Sequence, residues 1–363
     1  MRAGPRAARA IGFRLLDASG RRACFMPVLH RPRVSAIVPL WSIAGGRLDI
    51  HGADFQVTAE RLPDVRLGDL PARVVYASPS VLGVRVPDGL EGGRTPVRIV
   101  EVPGETAFVE IGKPVATGIH QVDSPVIDAH GNLYVTYSGT RGEEVPVSVY
   151  RVGPDGTRET FASGIVNPTS MAFDRAGLLY VSSRFDGTVY RVGPDGRAEV
   201  FVSDMGVACG LAFAADDTLY VGDRSGTIFV VTPAGEARPF ASLPPSVAAF
   251  HLAVGPDRAL YVTAPTLAAY DHVYRVDPDG TVTPLPQRFG RPQGLAFDAQ
   301  GALYVVDALA GASGVYRIVA GQPAELVVAG PGLVGLALDP RGGLIVVSND
   351  AAYRLQVPLR PPA

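Results

Sequence analysis

Residues 291–307 read RPQGLAFDAQGALYVVD, and variants of this stretch recur along most of the chain. It contains an apolar run that ends in an aspartate, a turn with a glycine, and a second apolar run built on Leu303-Tyr304-Val305. Two short runs of aliphatic, β-branched and aromatic residues separated by turn residues predict a pair of antiparallel strands. The repetition of this pair therefore decides the fold.

The second apolar run allows the repeats to be counted. A Leu-Tyr-Val triplet, replaced by Leu-Ile-Val in the last copy, occurs six times at spacings of 46, 40, 41, 43 and 41 residues. A trailing pair, usually Tyr-Arg, is an independent anchor and also counts six. The triplets begin at Leu133, Leu179, Leu219, Leu260, Leu303 and Leu344, and the trailing pairs begin at Tyr150, Tyr190, Phe229, Tyr274, Tyr316 and Tyr353.

Each repeat has room for four short strands. The third and fourth are separated by a turn such as Pro194-Asp195-Gly196, in which proline presets φ and glycine accepts the positive φ of a tight hairpin. Four strands at a period of roughly 40 residues are typical of propeller blades. The sequence therefore predicts an all-β fold in which residues 107–357 form a six-bladed β-propeller.

The last repeat supplies three strands before the chain enters a proline-rich end. A candidate for its missing strand precedes the first repeat, at Ala107–Ile111 and continuing to Val115. We expect this segment to pair with residues 351–357, because such pairing closes the ring and removes an open sheet edge.

Residues 33–103 predict a small β-sandwich in front of the propeller, because short β-branched runs alternate with glycine-rich turns. Ile37-Val38-Pro39, Ala44-Gly45-Gly46 and residues 50–55 resemble the opening of an IPT/TIG domain, an immunoglobulin-like family. Residues 86–99 resemble its end. The resemblance implies a structural or binding module that could contact a protein partner, with Trp41 either on a contact surface or in the core.

Charge and cysteine content exclude several classes of function. The formal net charge is −2, which gives no general electrostatic case for binding nucleic acid or an anionic membrane. Cys24 and Cys209 indicate neither a disulfide framework nor a four-ligand zinc site. No apolar run reaches the length of a transmembrane helix.

The ends of the chain differ from the rest. Residues 1–32 predict a disordered basic leader, with Met26 as an alternative start, and residues 358–363 predict a tail. An arginine-rich start can indicate export, but no uninterrupted apolar segment follows it here. Localisation is therefore undetermined, with the cytoplasm as the default.

The repeats lack the Trp-Asp pair of WD40 repeats and the Gly-Gly pair of kelch repeats. They resemble NHL or SMP-30/gluconolactonase-type blades, as residues 291–298 leading into residues 303–307 illustrate. In SMP-30-like hydrolases a divalent cation lies in the channel and is held by oxygens from several blades. The resemblance therefore implies hydrolysis of a lactone or related ester, supported by Ca²⁺ or Zn²⁺.

One aligned position in each repeat, five residues before the aspartate position at the end of the first strand, is expected to line the channel mouth. Asp123 begins a segment that resembles the first-blade Glu-x-Pro motif of the SMP-30 family, with Asp for Glu. One carboxylate plus the amide of Gln293 makes a poor metal site, because hard cations need several oxygen ligands. We expect no cofactor, or a weakly bound Ca²⁺ or Zn²⁺ at Asp123 and Gln293. The aligned residues are Asp123, Thr169, Cys209, Phe250, Gln293 and Val334.

Two further positions are candidates for chemistry. His251 stands where other repeats have Gly210, Gly294 or Gly335, and histidine can serve as a base or a ligand. A longer loop ends in Tyr270-Asp271-His272, whose polar groups could join His251 in a cluster. The alternatives are structural: a hydrogen-bonded His251 within the packing between blades, and an exposed, solvated loop.

Two functions of different class follow. The first is a binding or scaffold protein that recognises a small molecule, a glycan or a peptide at the channel mouth, through the aligned residues together with His251, Tyr270, Asp271 and His272. The second is an altered SMP-30-like hydrolase of a lactone or ester, with His251 and Asp123 as catalytic residues. Three or more polar side chains that converge on one reachable point in the channel would favour the hydrolase. An apolar or mixed mouth would favour binding.

Overall fold

The computed structural model describes residues 32–58, 61–102, 104, 106–308, 312–339 and 342–357. All regular elements among these residues are β strands, and none is a helix that could cross a membrane. The all-β prediction is therefore confirmed. The predicted tail, Met26 and the predicted leader, apart from Pro32, lie outside the described residues.

Eight strands precede the repeats. They pair in the order β1-β3-β6-β5-β4-β7-β8-β2, and β5 takes part twice, pairing with β4 at its start and with β6 along the rest. The strands are β1 (Arg33–Val38), β2 (Trp41–Ser42), β3 (Arg47–Ala53), β4 (Val65–Leu67), β5 (Leu70–Ala77), β6 (Val81–Arg85), β7 (Gly93–Ile99) and β8 (Ala107–Ile111).

These strands share one hydrophobic core. Alternate residues along a strand point to opposite faces, so short strands such as β4 bury Val65 and Leu67 and expose Arg66 between them. Leu48 of β3 and Leu82 of β6 belong to the same core and are fully buried. The short strands predicted for this region are thus present.

Five four-stranded antiparallel sheets follow, which gives a β-propeller arrangement; four are in simple sequential order, and the fifth takes its outer strand from before the first repeat. The first sheet contains β10 (Val126–Ile127), β11 (Leu133–Thr136), β12 (Val149–Val152) and β13 (Arg158–Ala162), and the second contains β14 (Pro168–Phe173), β15 (Leu179–Ser183), β16 (Thr188–Val192) and β17 (Ala198–Val202). The third contains β18 (Ala208–Phe213), β19 (Leu219–Asp223), β20 (Thr227–Val231) and β21 (Ala237–Ser242). The fourth contains β22 (His251–Val254), β23 (Leu260–Thr263), β24 (Val273–Val276) and β25 (Val282–Pro284). The fifth contains β30 (Leu333–Asp339), β31 (Gly343–Ser348), β32 (Ala351–Leu355) and β9 (Lys113–Thr117).

Four more strands repeat the same sequential pairing but do not form a separate sheet. They are β26 (Pro292–Phe297), β27 (Leu303–Asp307), β28 (Gly314–Ile318) and β29 (Glu325–Ala329). The short strand β2 lies parallel between β29 and β8, so these four strands and the eight N-terminal strands make one 12-stranded sheet.

Trp41 lies at this junction. Its backbone pairs with Val328 and Glu110, and its indole Nε1–H donates to the carbonyl of Gln356 at 3.0 Å. The side chain is half-buried and packs against the core formed by β27, β28, β30 and β31. Trp41 therefore joins the N-terminal strands to the repeats.

Aromatic contacts explain why the repeats keep a tyrosine in the second strand. Tyr180 meets Phe201 of its own sheet at a ring-centroid distance of 5.0 Å and Phe213 of the next sheet at 4.9 Å, both edge-on. Tyr261 and Phe297 repeat the second contact at 4.8 Å. Edge-on pairs of this kind are favoured by the ring quadrupole, so the same tyrosine binds neighbouring sheets together.

The ring-closing strand is shorter and later than expected. Lys113–Thr117 pairs antiparallel with Ala351–Leu355, as predicted for this end of the chain. Ala107–Ile111, however, pairs with β7 and β2 and contributes to the N-terminal core, so its assignment to the closing strand was wrong. Gly112 separates the two strands, and a Cβ there would lie 2.9 Å from Ile43 and 3.1 Å from Tyr353. A residue without a side chain is needed where the chain passes from one sheet to the next.

The first strands of the repeats surround a common axis. Consecutive first strands contact one another from β10 through β14, β18, β22 and β26 to β30, and β30 contacts β10. Residues at the start of these strands therefore meet at one end of a central channel.

Candidate functional site

Most of the aligned residues have buried side chains. Thr169 and Phe250 have no exposed surface, Cys209 is 2% exposed and Asp123 is 3% exposed. Thr169, Cys209, Gln293 and the half-buried Val334 line a cavity at the channel mouth, whereas Asp123 and Phe250 do not. Phe250 instead packs in the apolar core between β18 and β22.

Three of the predicted site residues form a hydrogen-bonded chain across the channel. His251 Nδ1 bonds to the Asp123 carboxylate, and His251 Nε2 lies 3.0 Å from Gln293 Oε1. The imidazole is 1% exposed. Because the Gln293 amide carries both a donor and an acceptor, each ring nitrogen has a partner in either form of the ring. We call these three residues the Asp–His–Gln chain.

Glycines occupy the position of His251 in other repeats. A Cβ at Gly335 would lie 2.5 Å from the Cα of Ser124, and one at Gly294 would lie 2.6 Å from the Cα of Gly335. The backbone therefore approaches closely at both glycines, whereas β22 begins with His251 at the aligned position.

A glutamine extends the buried polar network. Gln121 donates to the Asp123 carbonyl at 2.8 Å and accepts from the Thr136 backbone N–H at 2.7 Å. Asn349 donates to the Gln121 carbonyl at 3.0 Å. This network holds the Asp123 backbone in place, as expected of a buried polar group whose partners are all satisfied.

The donor set does not fit a metal. Within the described ranges, no group of three or more His, Cys, Asp or Glu side chains is arranged to hold an ion. The Asp123 carboxylate already accepts from His251 and from the Ser124 N–H, and Gln293 is engaged by His251. A divalent cation would have to displace His251 from both residues.

The loop residues do not join the Asp–His–Gln chain. Asp271 accepts from the Thr266 hydroxyl at 2.7 Å, and His272 Nδ1 lies 2.8 Å from the Leu285 carbonyl. Tyr270 is 61% exposed. The expected cluster with His251 was therefore wrong, because both polar side chains satisfy partners within their own sheet.

Cys209 is unsuited to nucleophilic chemistry. Burial raises the pKa of its thiol to about 12. The thiolate is the reactive form of cysteine, so this side chain lines the channel as a small apolar group.

Arginines surround the mouth above these buried residues. A cavity of about 270 Å³ is lined by Arg184, Arg224 and Arg291 together with Asn349 and Gln293. A neighbouring cavity of about 590 Å³ shares Arg184 and Arg224 and adds Arg141. We call these four arginines the mouth arginines.

The sequence contained a signal for two of them. Arg184 and Arg224 follow the second strands of consecutive repeats, in Val181-Ser182-Ser183-Arg184 and Val221-Gly222-Asp223-Arg224. Asp223, which precedes Arg224, accepts from the Val207 and Ser225 N–H groups.

No protein-family model matches the chain, and no curated protein matches it. Among solved structures, an auxiliary nutrient binding protein from Bacteroides thetaiotaomicron VPI-5482 superposes with a TM-score of 0.51 at 14% identity, covering 91% of this chain and 99% of that one. A protein provisionally named a gluconolactonase gives 0.55 at 17% identity, covering 68% and 91%. A catalytically inactive virginiamycin B lyase from Staphylococcus aureus with quinupristin gives 0.50 at 13%, covering 81% and 100%. At these identities the likeness establishes the β-propeller fold alone.

Proposed function

We propose that this protein binds a small molecule in the cavity at the channel mouth. The proposal rests on the contrast between the buried Asp–His–Gln chain and the cavity at the channel mouth. Below the mouth, the polar side chains of the Asp–His–Gln chain are buried and satisfied by one another. Above them lies a cavity lined by arginine, asparagine and glutamine side chains together with apolar groups. A concave, mixed surface with a few convergent polar groups is typical of a ligand site.

The size of the cavity favours a small molecule over the other ligands considered. A volume of about 270 Å³ corresponds to several water molecules at roughly 30 Å³ each. A glycan or peptide would have to extend into the neighbouring cavity. The nutrient-binding name of one structural relative is consistent with a small ligand. A protein partner of the N-terminal strands stays a prediction.

We also propose the finer architecture predicted from the sequence. Strands β26 to β29 would form a sixth blade, since β26 contacts the first strands on either side of it. The strands before the first repeat would form the immunoglobulin-like IPT/TIG domain, which then extends beyond residue 103 to include β8. A crystal structure in which β26 to β29 lie outside the ring would contradict this proposal.

A blocked mouth tests the proposed function. Ala249 lines the cavity, so Ala249→Trp should fill it, while Val200→Trp places the same side chain at an exposed position on β17. We would screen neutral sugars, amino acids, carboxylic acids and phosphorylated metabolites by thermal shift. Compounds that stabilise the wild type and the Val200→Trp variant but not the Ala249→Trp variant support binding at the mouth. Stabilisation that survives in Ala249→Trp contradicts it.

The alternative function is a hydrolase, and the contact between Asp123 and His251 favours it. A buried carboxylate bonded to one ring nitrogen orients a histidine for general-base catalysis. Gln293 would have to release His251 Nε2 before a substrate could reach it. A panel of lactones, assayed with and without chelator, tests this alternative. Turnover that is lost in His251→Gln supports the hydrolase, and absence of turnover throughout removes it.

A further inference from the structure

The mouth arginines gather at one place in the molecule without forming ion pairs with carboxylates in the described part of the chain. Among the described residues, none of Arg141, Arg184, Arg224 and Arg291 forms an ion pair, whereas arginines elsewhere do, such as Arg151 with Glu159 at 2.6 Å. The Nε of Arg291 is buried and has no hydrogen-bond partner. The Nε atoms of Arg317 and Arg354, which line neither mouth cavity, share this property, so it does not by itself identify a ligand site.

The positive charges lie close enough to influence one another. Burial lowers the pKa of the Arg184 guanidinium, and the charges of Arg224 and Arg141 lower it further. Arg184 and Arg224 also act on the Cys209 thiol, which places both charges over the channel. Like charges gathered at one mouth are unfavourable unless something neutralises them.

The hydrogen bonds of the nearby acids go to other groups around the mouth. Asp223 accepts from the Val207 N–H, and Glu143 binds the backbone N–H and hydroxyl of Thr140. Asp123 is held by His251, and Asp307 accepts from the Gly290 and Arg291 N–H groups. The carboxylates around the mouth therefore stabilise the loops that carry the arginines.

We propose that the ligand of the channel mouth is a small polyanion that carries carboxylate or phosphate groups. This inference rests on the proposed function and names the class of its ligand. The planar guanidinium presents paired donors that match the geometry of carboxylates and phosphates. Arg184 and Arg224 line both cavities, so they are the residues from which such a ligand can reach either one. Asn349 and Gln293 offer neutral hydrogen bonds at the inner end.

Calorimetric titration of the full chain tests the proposal. Citrate and pyrophosphate represent the two sources of negative charge and glucose is the neutral probe, all at one ionic strength fixed with sodium chloride. We expect saturable binding of citrate, of pyrophosphate or of both, and none of glucose. Arg184→Gln and Arg224→Gln should each weaken binding about tenfold or more, because each removes charge-assisted hydrogen bonds. Arg184→Lys keeps the charge but loses the paired donors and should weaken binding less.

Arg238→Gln is the matched control. Arg238 is exposed on β21, lines neither cavity, and its replacement removes the same charge from the molecule. Its affinity for the anion should equal that of the wild type. Circular dichroism melting of each variant shows whether it is folded at the titration temperature.

Two results would overturn the proposal. The first is absence of saturable binding of both anions, and the second is an equal loss of affinity in Arg238→Gln and Arg224→Gln, which would indicate diffuse surface attraction. If neutral compounds of the earlier screen bind the wild type but not Ala249→Trp while both anions fail, the anion proposal falls and the proposed function stands. If no compound stabilises the wild type but not Ala249→Trp, the proposed function itself is contradicted.

Discussion

At the scale of single residues, the molecule has a buried polar layer, the Asp–His–Gln chain, and a partly exposed charged layer, the mouth arginines. The repeat alignment located Asp123, His251 and Gln293, because a histidine among glycines and a carboxylate at a repeated position stand out in a sequence. Their mutual contacts could not be predicted, since Asp123 and His251 are 128 residues apart. The clustering of the mouth arginines could not be predicted, because arginine is common on surfaces and only the folded chain brings these four together.

Removing His251 should destabilise the fold. His251→Ala leaves the buried Asp123 carboxylate without its partner and opens a cavity on the channel axis. We expect a loss on the order of 3 kcal/mol in the free energy of unfolding, measured by urea denaturation. His130→Ala, at an exposed turn position, is the control and should cost almost nothing. Equal stability of both variants would show that the Asp–His–Gln chain contributes little.

His120 reports on the charge at the mouth. Burial and the nearby charge of Arg184 lower its pKa from the ordinary value of 6.5. A histidine with a lowered folded pKa disfavours the folded state as pH falls through the window between its folded and unfolded values, so this residue destabilises the protein at acid pH. Arg184→Gln should raise the His120 pKa, as followed by NMR titration of the ring proton. Arg238→Gln should leave it unchanged. A fall or no change in Arg184→Gln would place Arg184 away from His120.

At the scale of elements, the identity of the strand that closes the ring could not be predicted from the sequence. The chain offered two β-like segments, Ala107–Ile111 and Lys113–Thr117, with one glycine between them. Lys113, Pro114 and Ala116 are residue types depleted in strands, so propensity favoured Ala107–Ile111, the segment that does not close the ring. Tertiary packing decides it, because Val109 and Ile111 belong to the N-terminal core while Ala116 belongs to the core next to Ala352.

A charge on the closing strand should open the ring. Ala116 is 7% exposed and pairs with Ala352, so Ala116→Asp buries a carboxylate that has no partner. We expect a loss of about 3 kcal/mol or more in the free energy of unfolding, by thermal or urea denaturation. Thr117→Asp places the same charge at the next, exposed position. A similar loss in both variants would show that charge near β9, and not closure, determines the effect.

At the scale of the whole molecule, the N-terminal strands and the propeller strands share a sheet. Strand β2 pairs with β8 on one side and with β29 on the other, and Trp41 packs on the repeats. The sequence indicated two domains but contained no signal for this junction, since a two-residue strand has no pattern to detect. This junction connects the N-terminal strands to the propeller strands through backbone hydrogen bonds.

The single tryptophan of the chain allows this joint to be tested. Trp41 is the only tryptophan, so its fluorescence reports the junction alone. We expect the fluorescence transition and the far-ultraviolet circular dichroism transition to coincide in urea, because the paired strands unfold together. Trp41→Phe, which loses the indole bond to Gln356, should lower the midpoint of the circular dichroism transition. A fluorescence change well before loss of the strands would contradict a shared sheet.

A crystal structure of the protein grown with citrate or pyrophosphate tests most directly whether the channel mouth binds an anion. We expect the anion at the channel mouth, with its oxygens bound by the guanidinium groups of Arg184 and Arg224 and with the Asp–His–Gln chain intact beneath it. An anion bound elsewhere while the mouth holds only solvent, or a metal ion in place of His251 between Asp123 and Gln293, would contradict this expectation.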